Sequence, residues 1–477
     1  MKILVFFIAI IGLMAFIIDI DTAKKLQSGE KEYIVDTLAT GLIVPWAFVF
    51  PDSNTVMFTE RSGKVRLMQQ SQLIEKPILE LADINTTKKM GMLGLCLHPD
   101  FKNNSYVYVA YNYTGDKTTY LRVVRYRFKL DTLLNPLVIV DSIYANQNHT
   151  GCRLKFGPDK KLYITNGDAD RPALAQDLKF LNGKILRVNE DGSIPPDNPF
   201  VHSDTARKEI WTYGHRNTQG IDFQPGTNEL YNSEHGPTGG DEINLIEKGE
   251  NYGWPVIHHD ENREGMVTPL FQYTPSIGPS EIVFYNANAF PRWKGKLLLA
   301  SLRGESIALI ELSGKKIASQ QYIVHHEYGR IRALAVGPDG YLYFSTSQND
   351  PPEGAPKPGY DMILRLRPSG MEAHSAPSPG NEKINIYKSS LKRTTWKTYY
   401  ELCASCHGKK LQGTEKAKSM LDTMWQFGGT KQAIMKSIRD GIVDKGMPAW
   451  QGAINERETE SLADYILKLN KREQRGR

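Results

Sequence analysis

The sequence predicts an all-β six-bladed β-propeller over residues 33–370, followed by a linker and a small all-α domain over residues 391–477. Three observations carry this reading. From about residue 40 to residue 370 the chain consists of short strand-like apolar runs with Gly and Pro punctuation throughout. Within that span one phrase occurs six times: an apolar or small residue, a Pro with Asp or Gly beside or near it, a short turn, then an apolar run. Beyond a stretch rich in Pro, Ser and charge, the apolar residues fall at helical spacing.

The chain has 477 residues, so two or more domains are expected. Residues 1–22 read as a signal peptide or an N-terminal anchor. One Lys precedes an apolar run from Ile3 to Ile18, which Asp19 ends; the run is slightly short for a membrane span, and no A-x-A-like cleavage site follows. Either way the body is expected to be exported, to the periplasm or an equivalent extracytoplasmic space. The formal charge of +6 is modest for this length and owes part of its excess to the terminal KLNKREQRGR, which reads as a solvated helix end. No basic stripe with interleaved aromatics is present, so no nucleic-acid partner is expected.

The six phrases are FVFPDSNTVMFTE, CLHPDFKNNSYVYVAY, KFGPDKKLYITNGD, DFQPGTNELYNSEHG, AFPRWKGKLLLASL and AVGPDGYLYFSTS, anchored on Pro51, Pro99, Pro158, Pro225, Pro291 and Pro338. Each predicts one small sheet, which cannot bury both faces alone and does so by packing radially against its neighbours. The uneven spacing of the prolines implies inserted loops of different length. Residues 371–390, MEAHSAPSPGNEKINIYKSS, read as the linker.

The terminal domain opens on Cys403-Ala404-Ser405-Cys406-His407. Two thiols can add across the vinyl groups of a haem, and the imidazole is then placed under the iron. A zinc site would need two further Cys or His nearby, and only Cys96 and Cys152 remain, far upstream. Those two read as buried free thiols. The tail resembles a class I cytochrome c domain with one covalent haem c. On that resemblance His407 is the proximal ligand, and Met447 in GIVDKGMPAW supplies the sixth. Met420, Met424 and Met435 are rivals, and Met435 lies in a helical pattern with Ala433, Ile434 and Ile438 that Gly441 stops. The run RETESLADYILKLNK, with Leu462, Tyr465, Ile466 and Leu469 at helical spacing, reads as a closing helix.

Four polar clusters in the propeller region lie in turns at the ends of apolar strands. They hold His149 and Asp168; His215, Arg216 and Asn217; Glu234, Asp241 and Glu242 around a Gly-Pro loop; and Arg303 with Arg330 and Arg332. Singly, each reads as turn chemistry or a surface ion pair. Together, several Arg beside a loop of carbonyls and carboxylates that suits Ca²⁺ describe a pocket for a polyanion, and a His beside it describes a base.

HTGCRLKFGPDKKLYITNGD, GHRNTQG and EHGPTGGDEIN follow, in order and content, the motifs of the PQQ-dependent glucose/sorbosone (aldose sugar) dehydrogenases, and residues 33–368 resemble that family. The resemblance implies PQQ, a tricarboxylate ortho-quinone, bound in the mouth of the propeller. It implies that His149 is the general base and Asp168 the carboxylate that orients it. Arg216 and Asn217 would contact the quinone oxygens, and Arg330 and Arg332 the carboxylates. Arg303 stands where the family has a Lys over the cofactor. The Gly236 and Pro237 carbonyls would ligate a Ca²⁺ at the cofactor, and Glu242 with the Tyr252 carbonyl a second, structural Ca²⁺. His215 would support the site from behind. The chain departs from the family twice: KKMGMLG places Lys89 where a Gln or Glu is usual, and HTGCR places Cys152 where a Gly is usual.

The resemblance thus implies a quinohaemoprotein that oxidises an aldose or related lactol and passes electrons through its own haem to a cytochrome, an oxidase or a copper protein. The alternative is a non-catalytic extracytoplasmic propeller that binds a glycan or protein partner and carries an electron-transfer haem domain.

Overall fold

The structure, a computed structural model, describes residues 32–116, 118–348, 361–370, 395–414, 417–421, 425–442, 447 and 456–475. The expected leader, 1–22, and linker, 371–390, lie outside the described residues. The first body is a six-bladed propeller: six antiparallel sheets follow one another around a ring.

The first blade is built from Pro45–Asp52, Thr55–Glu60, Lys64–Gln69 and Gln72–Leu73, with Leu79–Glu80 added beside the third strand. The second runs Met92–Leu97, Tyr106–Thr114, Thr119–Lys129, Thr132–Tyr144, and the third Leu154–Phe156, Leu162–Thr165, Lys184–Val188, Ile210–Tyr213. The fourth takes Thr218–Phe223, Leu230–Glu234, Asp241–Ile246 and Phe271–Tyr273, and the fifth Pro279–Phe284, Leu297–Ser301, Ser306–Ser313 and Lys316–His325. The sixth joins Ile331–Val336, Leu342–Thr346 and Asp361–Pro368 to the N-terminal strand Tyr33–Leu42, with Tyr33 opposite Pro368 and Leu42 opposite Asp361. The ring is therefore closed by pairing its two ends within one sheet.

Each recurrent phrase falls at the same place in its blade. Pro51, Pro99, Pro158, Pro225, Pro291 and Pro338 all lie at or near the turn between a first and a second strand. A Pro lacks the N–H that a ladder needs, and its fixed φ suits a turn, so it marks the corner and leaves the apolar run after it to pair. Second strands such as Leu162–Thr165, Leu297–Ser301 and Leu342–Thr346 are buried along their whole length, because neighbouring blades cover both faces.

Arg153, at the axis, ties the ring together. Its Nη1 donates to Trp46 O at 2.5 Å, its Nε to Gln219 O at 2.9 Å and its Nη2 to Arg332 O at 2.9 Å. Nη1 also lies 2.9 Å from Glu281 Oε2. One guanidinium thus joins the innermost strands of the first, fourth, fifth and sixth blades to the start of the third. Burial pushes Glu281 up to about 7, against the pull of Arg153 and Lys155.

The second body is helical: Thr395–Leu402, Ala404–His407, Lys431–Asp440 and Glu456–Arg475. Thr430 caps the third of these, its hydroxyl accepting from the Ala433 N–H, and Gly441 ends it at φ 73°. Ile434, Ile438, Leu462 and Ile466 meet in its core, so the periodicity expected for these two helices is the one observed. Among the described residues no helix is long and apolar enough to cross a membrane.

Candidate active site

In an antiparallel blade the start of the first strand and the turn from second to third strand share an end, opposite the first-to-second turn. Lys89, His149, Arg216 with Asn217, and Arg330 stand just before first strands, and Arg332 lies within one. Gly236, Pro237 and Arg303 occupy second-to-third turns. All of them line one cavity of about 230 Å³. The ring therefore collects, at one mouth, residues that the sequence scatters over more than two hundred positions.

The cavity wall carries Lys89, Arg216, Arg303, Arg330 and Arg332, and no carboxylate among its described lining. Arg332 lies over the Trp46 ring at 4.0 Å and Arg216 over the Trp254 ring at 5.3 Å. Arg216 donates from Nη1 to His235 O at 3.1 Å, whereas its Nε is buried without a hydrogen-bond partner. Burial pulls its pKa down, in spite of Asp168 and Glu234 nearby. His235 also lines the wall, with Nε2 donating to Pro279 O at 2.7 Å; burial first, then Arg216, Arg332 and Lys89, holds it well below the usual imidazole range, and so neutral. A cavity of this composition suits an anion of several charges, and the donor set fits a tricarboxylate.

His149 forms part of the same wall. Its Nδ1 lies 2.7 Å from Asp168 Oδ1, and Asp168 is fully buried. Trp254 Nε1 donates to Asp168 Oδ2 at 2.8 Å, and the Asp170 N–H donates to Oδ1 at 2.9 Å. With Nδ1–H donating to the Asp168 carboxylate, Nε2 keeps its lone pair. The Asp168 N–H is in turn bonded to Arg216 O at 2.9 Å, which fixes the base relative to the arginine. Gly167 permits this approach: a Cβ there would stand 2.1 Å from His149 O. Asn217 receives a bond at Oδ1 from Gln219 Nε2 at 3.0 Å, and Gln219 Oε1 accepts from Arg332 at 3.0 Å.

The Gly-Pro loop is shaped by Asp241, whose carboxylate accepts from the Gly236 N–H at 2.9 Å, the Gly278 N–H at 2.7 Å and Ser276 Oγ at 2.7 Å. A Cβ on Gly236 would meet Gly239 O at 2.1 Å and Gly240 O at 2.3 Å, so carbonyl oxygens converge there. Such hard donors fit Ca²⁺.

Glu242 and Tyr252 do not line the cavity. Glu242 lies directly opposite Glu234 across the fourth blade, and Asn244 opposite Asn232. Glu234 is held ionised: burial opposes this, but His215 Nδ1 at 2.8 Å, the Arg216 N–H and Thr218 Oγ1 at 3.2 Å outweigh it. Glu242 accepts from Asn244 Nδ2 at 3.0 Å, and burial together with the charge of Glu234 drives it well above the usual carboxylate range. The side-chain oxygens of Asn232 and Asn244 are buried acceptors without donors. A like-charged cross-strand pair beside two orphaned oxygens fits a cation. His215, fully buried and stacked on Tyr252 at 4.7 Å, supports this pair and not the cavity.

In the helical body Cys403 and Met447 pack against the same apolar cluster, together with Met420 and Met435; Met424 lies outside the described residues. His407 follows Cys403 in one turn, its N–H bonded to Cys403 O at 2.9 Å, and its Nδ1 is buried without a partner. Burial pulls His407 down, which keeps the ring neutral and able to ligate. Cys96 and Cys152 are free and buried.

Sequence reasoning missed Trp254, Asp170 and Arg153. Trp254 and Asp170 follow residues it named by only two positions, but nothing in their types announces a role; the fold supplies it.

The glucose/sorbosone dehydrogenase family matches residues 42–352, and the cbb3-type cytochrome c oxidase subunit III family matches residues 391–466. The chain is 34% identical over 335 residues to an aldose sugar dehydrogenase of Escherichia coli, covering 66% of this chain and 90% of that protein. It is 34% identical over 263 residues to quinoprotein glucose dehydrogenase B of Acinetobacter calcoaceticus, covering 49% of this chain and 54% of that protein. Its fold superposes with a TM-score of 0.62 on the PQQ-bound aldose sugar dehydrogenase of Streptomyces coelicolor, at 31% identity, covering 71% of this chain and 98% of that one.

Proposed function

The chain belongs to the glucose/sorbosone dehydrogenase family and ends in a cytochrome c domain, and from that premise we propose that it is an exported, PQQ-dependent sugar dehydrogenase with its own haem acceptor. The observation that carries the proposal is His149, held through Nδ1 by a buried Asp168, in the wall of a cavity lined by five cationic side chains. PQQ, when bound with Ca²⁺, supplies a two-electron acceptor for the hydride of a lactol carbon.

The chain's residues do the rest. His149 Nε2 takes the hydroxyl proton of the sugar, and Asp168 stabilises the imidazolium that results. Trp254 keeps Asp168 from turning. Arg330 and Arg332, with Lys89, would hold the cofactor's carboxylates, Arg303 would stand over the cofactor, and Arg216 with Asn217 would contact its quinone oxygens, where the guanidinium offers positive charge. The Gly236 and Pro237 carbonyls would hold Ca²⁺ at the cofactor, and Glu242 with the Tyr252 carbonyl would hold a second Ca²⁺ in the fourth blade. Cys403 and Cys406 would carry the haem and His407 and Met447 its iron, with electrons leaving to a cytochrome, an oxidase or a copper protein. Fusion keeps this haem at high effective concentration beside the propeller.

The test is reconstitution with PQQ and Ca²⁺, followed by an aldose screen with an artificial dye. Turnover of at least one aldose, with reduction of the haem band, is expected. A fully loaded protein that oxidises no sugar overturns the reading.

A further inference from the structure

We propose that Asp170 is a positioning residue for His149, and that Asn148 ties it to Lys89, so that one run of polar contacts connects the base to the cofactor-side lysine. This rests on the reading of His149 as the base. Asp170 Oδ1 lies 3.3 Å from His149 Nδ1, beside the 2.7 Å contact of Asp168. Asp170 Oδ2 accepts from Asn148 Nδ2 at 3.0 Å and from Asn146 Nδ2 at 3.2 Å. Asn148 Oδ1 accepts from Lys89 Nζ at 2.9 Å, and Lys89 lines the cavity.

The backbone is bent to make this contact. His149, Ala169 and Asp170 have φ of 53°, 55° and 57°, a region that residues other than Gly seldom adopt. The Ala169 N–H reaches His149 O at 3.2 Å and the Asp170 N–H reaches Asp168 Oδ1 at 2.9 Å, bonds that hold this conformation. Both amides on Oδ2 fix the Asp170 rotamer and leave Oδ1 facing the imidazole. With Asp168 bonded to Nδ1 and Asp170 flanking the same nitrogen, a swing of the ring about that bond meets a second carboxylate, so Nε2 stays aimed. The carboxylates of Asp168 and Asp170 both lie within electrostatic reach of Arg216, and Lys89 reaches Asp170 through Asn148, so two cations face the two carboxylates.

Asp170→Ala, Asn148→Ala and the double variant test this in the PQQ- and Ca²⁺-loaded protein. Asp170→Ala should lower kcat by about tenfold, since small misplacements of a reacting group cost that much or more, with PQQ affinity unchanged by fluorescence titration. Asn148→Ala should fall similarly, and the double variant no further than the worse single one, because both cut one run. Imidazole ¹⁵N spectra of the cofactor-free protein should show one sharp His149 ring signal, protonated at Nδ1, in the wild type and an exchange-broadened one in Asp170→Ala, because Asp168 still sets the tautomer while the ring gains freedom to swing. Asp170→Asn, which keeps the shape but sets its amide against that of Asn148, serves if the Ala variant does not fold. Wild-type kcat and an unchanged His149 spectrum overturn the positioning role, and fully additive losses overturn the tie through Asn148. If the wild type oxidises no sugar, the proposed function fails, and the cofactor-free spectra still decide the role of Asp170.

Discussion

Replacing Glu242 with Gln should change the sign of its effect on stability according to whether Ca²⁺ is present. Without a cation, Glu242 faces Glu234 across the fourth blade, and burial and that charge drive its carboxyl well above the usual range. A carboxylate whose folded pKa is raised binds more protons folded than unfolded. Its contribution is therefore present below the unfolded value and lost as pH rises through the folded one. At neutral pH in a chelator, Glu242→Gln should thus melt above the wild type, and the gap should narrow as the pH is lowered. With Ca²⁺ the wild type gains stability by mass action, about 2.7 kcal/mol at a hundred times Kd, whereas the variant gains little at this site. For a domain of this size that corresponds to roughly 3–5 °C in Tm, so Glu242→Gln should now melt below the wild type. The cavity-side Ca²⁺ is common to both proteins and cancels in the comparison. Differential scanning fluorimetry of the PQQ-free proteins, in chelator and in Ca²⁺, reads the result. A Glu242→Gln Tm that lies on the same side of the wild type in both conditions refutes the reasoning.

His149→Gln should lower turnover roughly 10²–10⁴-fold, as loss of a general base does, with PQQ binding nearly intact by fluorescence titration. Arg153→Met should destabilise the propeller by about 3–5 kcal/mol in urea unfolding, because it removes the ion-pair partner of the buried Glu281 and leaves three carbonyls without their donor. Met447→Ala should lower the haem potential and slow reduction of the haem in stopped-flow absorbance, while leaving sugar oxidation with an artificial dye unchanged. In the wild type the rate of haem reduction should not depend on protein concentration; a proportional rise would mean that electrons pass between molecules.

The propeller was legible because a turn imposes itself on sequence. Six prolines mark six equivalent corners, and a corner needs particular residue types whatever surrounds it. The helices were legible for the same kind of reason: Ile434 and Ile438, then Leu462 and Ile466, repeat at the period that buries one face. The charged lining of the cavity was legible mainly through the family resemblance, since Arg330 and Arg332 by themselves could sit on any surface. What the sequence hid is where a common residue gains a role from its neighbours. Trp254 is one Trp among seven until its indole meets Asp168. Arg153 reads as an ordinary strand-end cation until the ring brings four other blades to its guanidinium. Closure through Tyr33–Leu42 was also invisible, because the partner strand lies at the far end of the propeller and no local pattern points to it.

That closure sets an order of assembly. The strand Tyr33–Leu42 is synthesised before every other strand of the ring, yet it must wait for Asp361–Pro368 before it has a partner. Arg330 and Arg332 belong to that same last blade, so the cavity has only part of its cationic wall until the seam forms. A ligand that needs both arginines can bind only the sealed ring, and it withdraws that form from the equilibrium with seam-opened forms. PQQ would then act as a latch as well as an oxidant. Protease cleavage within the N-terminal strand should be the earliest sign of an unloaded molecule, well before the blades themselves come apart.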